Sequence, residues 1–219
     1  MTRLVCFFIS VLILFSVWPS PVASNDSYGA PTTLANIADP SINESSGLVA
    51  SRTLPGAYWT HNDSGDGPFI YALNTRGEPL GTFRVTGATN RDWEDIAAGP
   101  GPQRGRLYLY IGDIGDNDKV RSEIVVYRVL EPQLKSATND STKKRPVTTE
   151  PAEAIRLVYP DGKHDAETLL VHPSTGNLYI ITKILFANPA VYEASAPLTA
   201  GQTITLKRIA EIRVPSLFG

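Results

Sequence analysis

The chain has one cysteine in 219 residues, Cys6, and it lies in the N-terminal apolar stretch. Beyond it there is no thiol, so a disulfide framework, a thiolate metal site and a cysteine nucleophile are excluded. The three histidines, His61, His164 and His172, do not have the H-E-x-x-H spacing of a zinc protease. No serine stands in G-x-S-x-G, and neither a P-loop nor a dinucleotide-binding glycine pattern occurs. Net charge is −2, so there is no basic field to attract nucleic acid. Also missing is any stretch that sustains a 3.6-residue apolar period over three turns, which argues against helices.

Only one long hydrophobic run is present, LVCFFISVLILFSVW at 4–18. Arg3 precedes it, PSPVAS follows it, and Val22 and Ser24 fit the −3 and −1 positions of a cleavage site. Residues 1–24 therefore read as a secretory signal peptide, too short in its apolar part for a bilayer span. The expected location is secreted, extracellular or periplasmic. The expected partner is an unidentified extracellular ligand, with no nucleic acid and no membrane once the signal is removed. An exported protein without disulfides is held by a large core, by bound ions, or by both. Of four N-x-S sequons, at Asn25, Asn43, Asn62 and Asn139, the last is the glycosylation candidate because it sits in a polar insertion.

From residue 44 onward, short runs rich in Val, Ile, Tyr and Thr alternate with Gly, Pro, Asn and Asp, the punctuation of strands and turns. The order of these runs recurs. ESSGLVA (44–50), DWEDIAA (92–98) and DAETLLV (165–171) begin with acidic or polar residues. AYWTHND (57–63), LYLYIGD (107–113) and NLYIITK (177–183) follow, and then FIYALN (69–74), IVVYRVL (124–130) and AVYEAS (190–195), each with a Tyr. GTFRV (81–85), AIRLVY (154–159) and AEIRV (210–214) close each unit. The spacing Ile96 to Leu169 exceeds Leu48 to Ile96 by 25 residues, and its visible source is a polar insertion, 131–153, expected as a flexible loop. Four antiparallel strands per unit is the pattern of a β-propeller blade. The expected fold is all-β, a propeller with blades at about 44–91, 92–160 and 164–214. Segment 25–43 precedes them, with 33–42 a candidate rim strand. Propellers close with about 4–8 blades, so three make an incomplete ring. That implies a fragment of a longer product or, alternatively, an open stack or a ring closed by self-association. Exposed blade faces and edges then predict poor solubility or oligomerisation.

A D-x-G-D-[GN] loop follows the second strand twice, Asp63-Ser-Gly-Asp66-Gly67 and Asp113-Ile-Gly-Asp116-Asn117. One reading is a turn, in which Gly65, Gly67, Gly115 and Asn117 supply positive φ and Asp supplies side-chain-to-backbone bonds. The other is a metal site, in which Asp63 and Asp113 close the strands and gather at one mouth, where a hard cation such as Ca2+ relieves their repulsion. The EF-hand spacing is absent. A second acidic cluster, Asp92, Glu94 and Asp95, has counterparts in Asp165 and Glu167. Strand alternation places Glu94 and Ile96 on one face with Asp95 on the other. The metal-ligand candidates are Asp63, Glu94, Asp113 and Glu167, with Asp66, Asp92 and Asp116 secondary. Arg91, Lys183 and His61 are candidate partners in a competing salt-bridge network, and His61, beside Asp63, is the candidate catalytic base.

Together WTHNDSGD (59–66), NRDWEDIA (90–97) and YIGDIGDN (110–117) resemble a group of exported propeller-type proteins that carry these blocks. The resemblance spans roughly 40–215. More distantly, DWEDIA and DAETLL resemble blade starts of phytase-like and gluconolactonase-like propellers. That likeness implies Ca2+-dependent hydrolysis of phosphoesters or lactones, with Glu94, Glu167, Asp63 and Asp113 as ligands. The Lys- and Arg-rich phosphate-binding set of the phytase-like proteins has no counterpart here. Two functions are therefore expected: a secreted binding or scaffold module with Ca2+-binding acidic loops, or a metal-dependent hydrolase.

Overall fold

The computed structural model describes residues 29–134, 140–185 and 187–213. Residues 1–24, expected as a signal peptide, and Asn139 lie outside these residues. Two compact units are distinguished, Met1–Thr32 and Thr33–Gly219. In the first, residues 29–32 are irregular and exposed.

The second unit is all-β, with no helix among the described residues and three sheets of four or five strands. Each sheet is built on an antiparallel meander. Sheet one runs β1 (Ser45–Ala50), β2 (Ala57–Asn62), β3 (Phe69–Asn74) and β4 (Pro79–Arg84). Sheet two runs β5 (Trp93–Pro100), β6 (Leu107–Asp113), β7 (Ile124–Leu130) and β9 (Glu153–Val158). Sheet three runs β10 (Ala166–Val171), β11 (Leu178–Thr182), β12 (Ala190–Ala194) and β14 (Lys207–Glu211). Residues 33–42 form no strand. They lie against sheet one, where Ala38 N donates to Gly77 O and Ile42 joins Phe69, Tyr71 and Leu73 in a small apolar cluster.

Two short strands change the picture of the connections. β8 (Val147–Thr148) leaves the sheet-two chain and pairs parallel to β4 of sheet one, Phe83 opposite Val147. β13 (Thr203–Thr205) leaves the sheet-three chain and pairs parallel to β9 of sheet two, Arg156 opposite Thr203. Each covers an outer edge that would otherwise offer unpaired backbone groups. The described parts of the polar stretch, 131–134 and 140–153, thus carry more regular structure than their composition implies. Glu131, 2% exposed, accepts from Ser51 Oγ, Arg52 N, Thr53 Oγ1 and Trp59 Nε1, tying the β1–β2 turn of sheet one to the end of β7.

The sheets stack face to face with their first strands side by side, β1 next to β5 and β5 next to β10. Trp59, Ile70 and Phe83 meet Trp93, Ile96 and Leu109 between sheets one and two. Tyr110, Val126 and Leu157 meet Leu169, Ile180 and Tyr192 between sheets two and three. Burying each such side chain contributes about 1.5–3 kcal/mol. Sheet two is covered on both faces, which is why β6 reads as nearly continuous apolar sequence and is buried almost throughout. Tyr71, Tyr127 and Tyr192 occupy matching third-strand positions, opposite Thr60, Ile111 and Ile180. Each buries its ring and finds its hydroxyl a partner: Asp66, Thr89 and Asp161 respectively.

Candidate functional site

The first strands share an irregularity at one end. In β5 the register passes from Trp93 opposite Asp113 to Asp95 opposite Gly112, which leaves Glu94 as the extra residue. In β10 it passes from Ala166 opposite Thr182 to Thr168 opposite Ile181, leaving Glu167. In β1 the slip falls between Ser45 and Leu48. A bulge re-aims the inserted side chain. Glu94 and Glu167 therefore leave the strand alternation expected of them, and both turn toward the same mouth. Asp95 becomes a structural clamp, its Oδ2 accepting from Leu169 N of sheet three at 2.8 Å and its Oδ1 from Ile96 N.

Five carboxyls converge there. Asp63, just past β2, joins Asp92 and Glu94 at the start of β5, and Glu94 also joins Asp165 and Glu167 at the start of β10. Within each trio one oxygen from every residue lies within 4.8 Å of the others. Two oxygens held by one Ca2+ at about 2.4 Å are at most ~4.8 Å apart, so either trio can share an ion. Glu94 belongs to both and is 5% exposed. Burial first, then Glu167, Asp63 and Asp92, push its carboxyl up to about 8. Asp92 is also pushed up, by burial and by Asp63 and Asp165, against the pull of Arg121. The second trio has a cation of its own, because Lys183 Nζ stands 2.5 Å from Glu167 Oε1 and 3.8 Å from Asp165 Oδ2.

Gly115 forms one wall. A β-carbon there would stand 2.4 Å from both Asp92 Oδ2 and Glu94 Oε1. Its backbone is not in the left-handed region, so the glycine is required by close approach and not by a turn. A cleft of about 280 Å³ opens beside it, lined by Ser64, Arg91, Asp92, Gly115 and Arg121 among others. The residues present suit a hard cation: carboxylates crowded beyond what the nearby cations neutralise, and backbone brought close enough to enclose them.

The remaining candidates lie elsewhere. Asp113 is not in either trio: its carboxylate is taken by buried Arg121 Nη1 at 2.7 Å and by the backbone N–H groups of Arg91 and Asp92. Asp116 accepts from Val120 N and Arg121 N and closes a turn, while its own N–H donates to Asp165 Oδ1. Asp66 accepts from Asn62, Tyr71 and Lys143. The two D-x-G-D loops thus share spelling and not conformation. Gly65 and Gly67 adopt positive φ, whereas in the second loop the left-handed residue is Lys119 and neither Gly115 nor Asn117 is. Arg91 does not pair through its side chain with the cluster, and Lys183 does. His61 is sealed from solvent between β1 and Trp93, its Nδ1 on Asn62 O at 2.8 Å and its Nε2 without a partner. Burial holds its pKa below the usual value, against Asn62 and Asp63. It cannot reach a solute in the mouth.

Sequence reasoning did not find Arg121. It stands in the β6–β7 connection with no counterpart in the other sheets, and its only local signal is a lone arginine beside an acidic turn. Asn90 was also unassigned; its Nδ2 donates to Asp63 O and its Oδ1 accepts from Trp93 N, fixing the first loop against β5. Comparison with protein-family models, curated proteins and solved structures found no match to this chain.

Proposed function

We propose that the three sheets are successive blades of a β-propeller and that the chain, once exported, is a binding or scaffold module whose acidic mouth holds Ca2+. The observation that supports this is the shared bulge at one end of the first strands, which delivers Glu94 and Glu167 beside Asp63, Asp92 and Asp165. Side-by-side first strands with meanders running outward fit a radial blade arrangement. Lys183 satisfies the second trio, so the ion belongs with Asp63, Asp92 and Glu94. The test is Ca2+ titration by calorimetry together with melting in Ca2+ and in EDTA. One site and a raised melting temperature are expected, both lost in Glu94→Gln. Equal melting temperatures in Ca2+ and EDTA would remove the metal from the reading.

One observation favours a second reading, a hydrolase of phosphoesters or lactones. A carboxyl pushed up to about 8 within the acidic cluster holds a proton near neutral pH and can give it to a leaving group. Turnover of p-nitrophenyl phosphate or a simple lactone, abolished in Glu94→Gln, would establish it. Ca2+-dependent stability without turnover would leave the scaffold.

A further inference from the structure

The first strands have a second end. β5 starts at Trp93, beside the acidic mouth, and stops at Pro100, where the turns after β1, β5 and β10 come together. A cleft of about 440 Å³ opens among these turns, with Arg52, Ala98, Pro100, Arg106, Leu107 and Pro173 in its walls. Its volume falls within the about 300–1,000 Å³ of small-molecule sites.

The walls are largely apolar and their charge is of one sign. Arg52 and Arg106 are exposed, and among the described residues neither guanidinium forms a hydrogen bond or an ion pair. No carboxylate lines the cleft. Glu131 reaches the β1–β2 turn but is spent inside it, accepting from Trp59 Nε1 and from the backbone N–H of Arg52 at 3.1 Å, not from its guanidinium. Glu150 and Glu153 line a neighbouring cleft that Arg106 also borders, and Arg128 holds Glu153. The turns are fixed before anything binds: Arg106 N donates to Gln103 O at 3.1 Å, and Gly105 takes the left-handed φ of +77 that the turn requires. A single exposed arginine is a solvated charge. Two that share a concave apolar wall with no counter-ion focus a positive field into it.

We propose that this cleft binds a small organic anion, its oxyanion head on Arg52 and Arg106 and its apolar body against Ala98, Pro100, Leu107 and Pro173. The guanidinium fork matches a carboxylate and a phosphate alike. The site is separate from the acidic mouth and does not depend on an ion there. The test is calorimetric titration of the full chain, in EDTA and again in Ca2+, with phthalate, phenyl phosphate, neutral benzamide and inorganic sulfate. One site is expected for the two organic anions, with equal affinity in EDTA and in Ca2+, and the tighter of the two identifies the head group. Benzamide should not bind, and sulfate should bind about tenfold more weakly or worse, because it has no apolar body to bury. Arg52→Met and Arg106→Met should each weaken the tighter anion about tenfold or more. Arg104→Met, exposed in the same turn and outside the lining, should leave affinity unchanged, as should Glu94→Gln. Urea melts of the arginine variants should match wild type, since each removes an exposed side chain. Absence of binding by both organic anions overturns the proposal. So does equal affinity for benzamide or sulfate, or indifference to both Arg52→Met and Arg106→Met. Binding that needs Ca2+ or is lost in Glu94→Gln also overturns it and places the anion at the acidic mouth.

Discussion

At neutral pH and without a divalent cation, the folded chain keeps a proton on Glu94 that the unfolded chain releases near the ordinary carboxylate value of 4.5. A group that binds its proton more tightly when folded makes stability fall as pH rises between the unfolded and the folded value. The window for Glu94 is 4.5 to about 8. One proton changes stability by at most about 1.4 kcal/mol per pH unit, so the loss from pH 6.5 to 8.5 is about 2 kcal/mol at most and ~1 kcal/mol after allowing for solvent at the mouth. For a domain of this size that is a fall of roughly 2–8 °C in melting temperature. Glu94→Gln removes the titrating group while keeping its shape, so the variant should be nearly flat over this range in EDTA and more stable than wild type at pH 8.5. His61 contributes with the opposite sign at the acid end, since a depressed histidine makes stability fall as pH drops through 6.5. Subtracting the variant's profile cancels it.

Ca2+ should erase the slope by replacing the proton. At a concentration 100 times its dissociation constant a bound ion adds about 2.7 kcal/mol, and this gain should grow from pH 6.5 to 8.5 because binding then displaces less proton. Urea melts of both proteins at several pH values, in EDTA and in Ca2+, provide the four curves required. A wild-type curve in EDTA that is flat above pH 6.5, or a Gln variant with the same slope as wild type, refutes the assignment of a shared proton to this cluster.

Four other substitutions separate structure from site. Arg121→Met leaves Asp113 buried without its partner and should cost about 3–5 kcal/mol in urea unfolding, part of which Asp113→Asn in the same chain should restore. Glu131→Ala strands the fully buried Trp59 Nε1 and three backbone or hydroxyl donors of the β1–β2 turn, and a loss of about 2–4 kcal/mol is expected in the same assay. Gly115→Ala should weaken Ca2+ at least tenfold, about 1.4 kcal/mol, by pushing Asp92 and Glu94 apart. Gly65→Ala, at φ +82 with open space around its Cβ, should cost about 1 kcal/mol of stability and leave Ca2+ affinity unchanged.

Eleven strands were legible because each carries its own signal, a run of β-branched or aromatic residues between turn formers, and β3, β6 and β7 begin and end where those runs do; β14 (Lys207–Glu211) starts three residues before the run AEIRV expected for it. β8 and β13 were not, since a strand of two or three residues is defined by a partner in another sheet, and nothing in VT or TIT announces Phe83 or Arg156 across from it. The site divides in the same way. Asp63, Glu94 and Glu167 border strands and could be placed by counting along them. The face that Glu94 takes could not, because period-two alternation assumes an unbroken ladder and the bulge inserts this very residue. Asp63 and Asp113 looked equivalent because their loops are spelled alike, yet Arg121 claims Asp113 and leaves Asp63 to the cluster. A cation thus decides the role of each acidic loop: arginine makes one structural, lysine quiets the Asp165 and Glu167 pair, and the trio of Asp63, Asp92 and Glu94 keeps an uncompensated charge. Under the proposed function, that residue of charge, confined to one end of one strand junction, is what directs a divalent ion there and not to the other acidic turn of the same sequence.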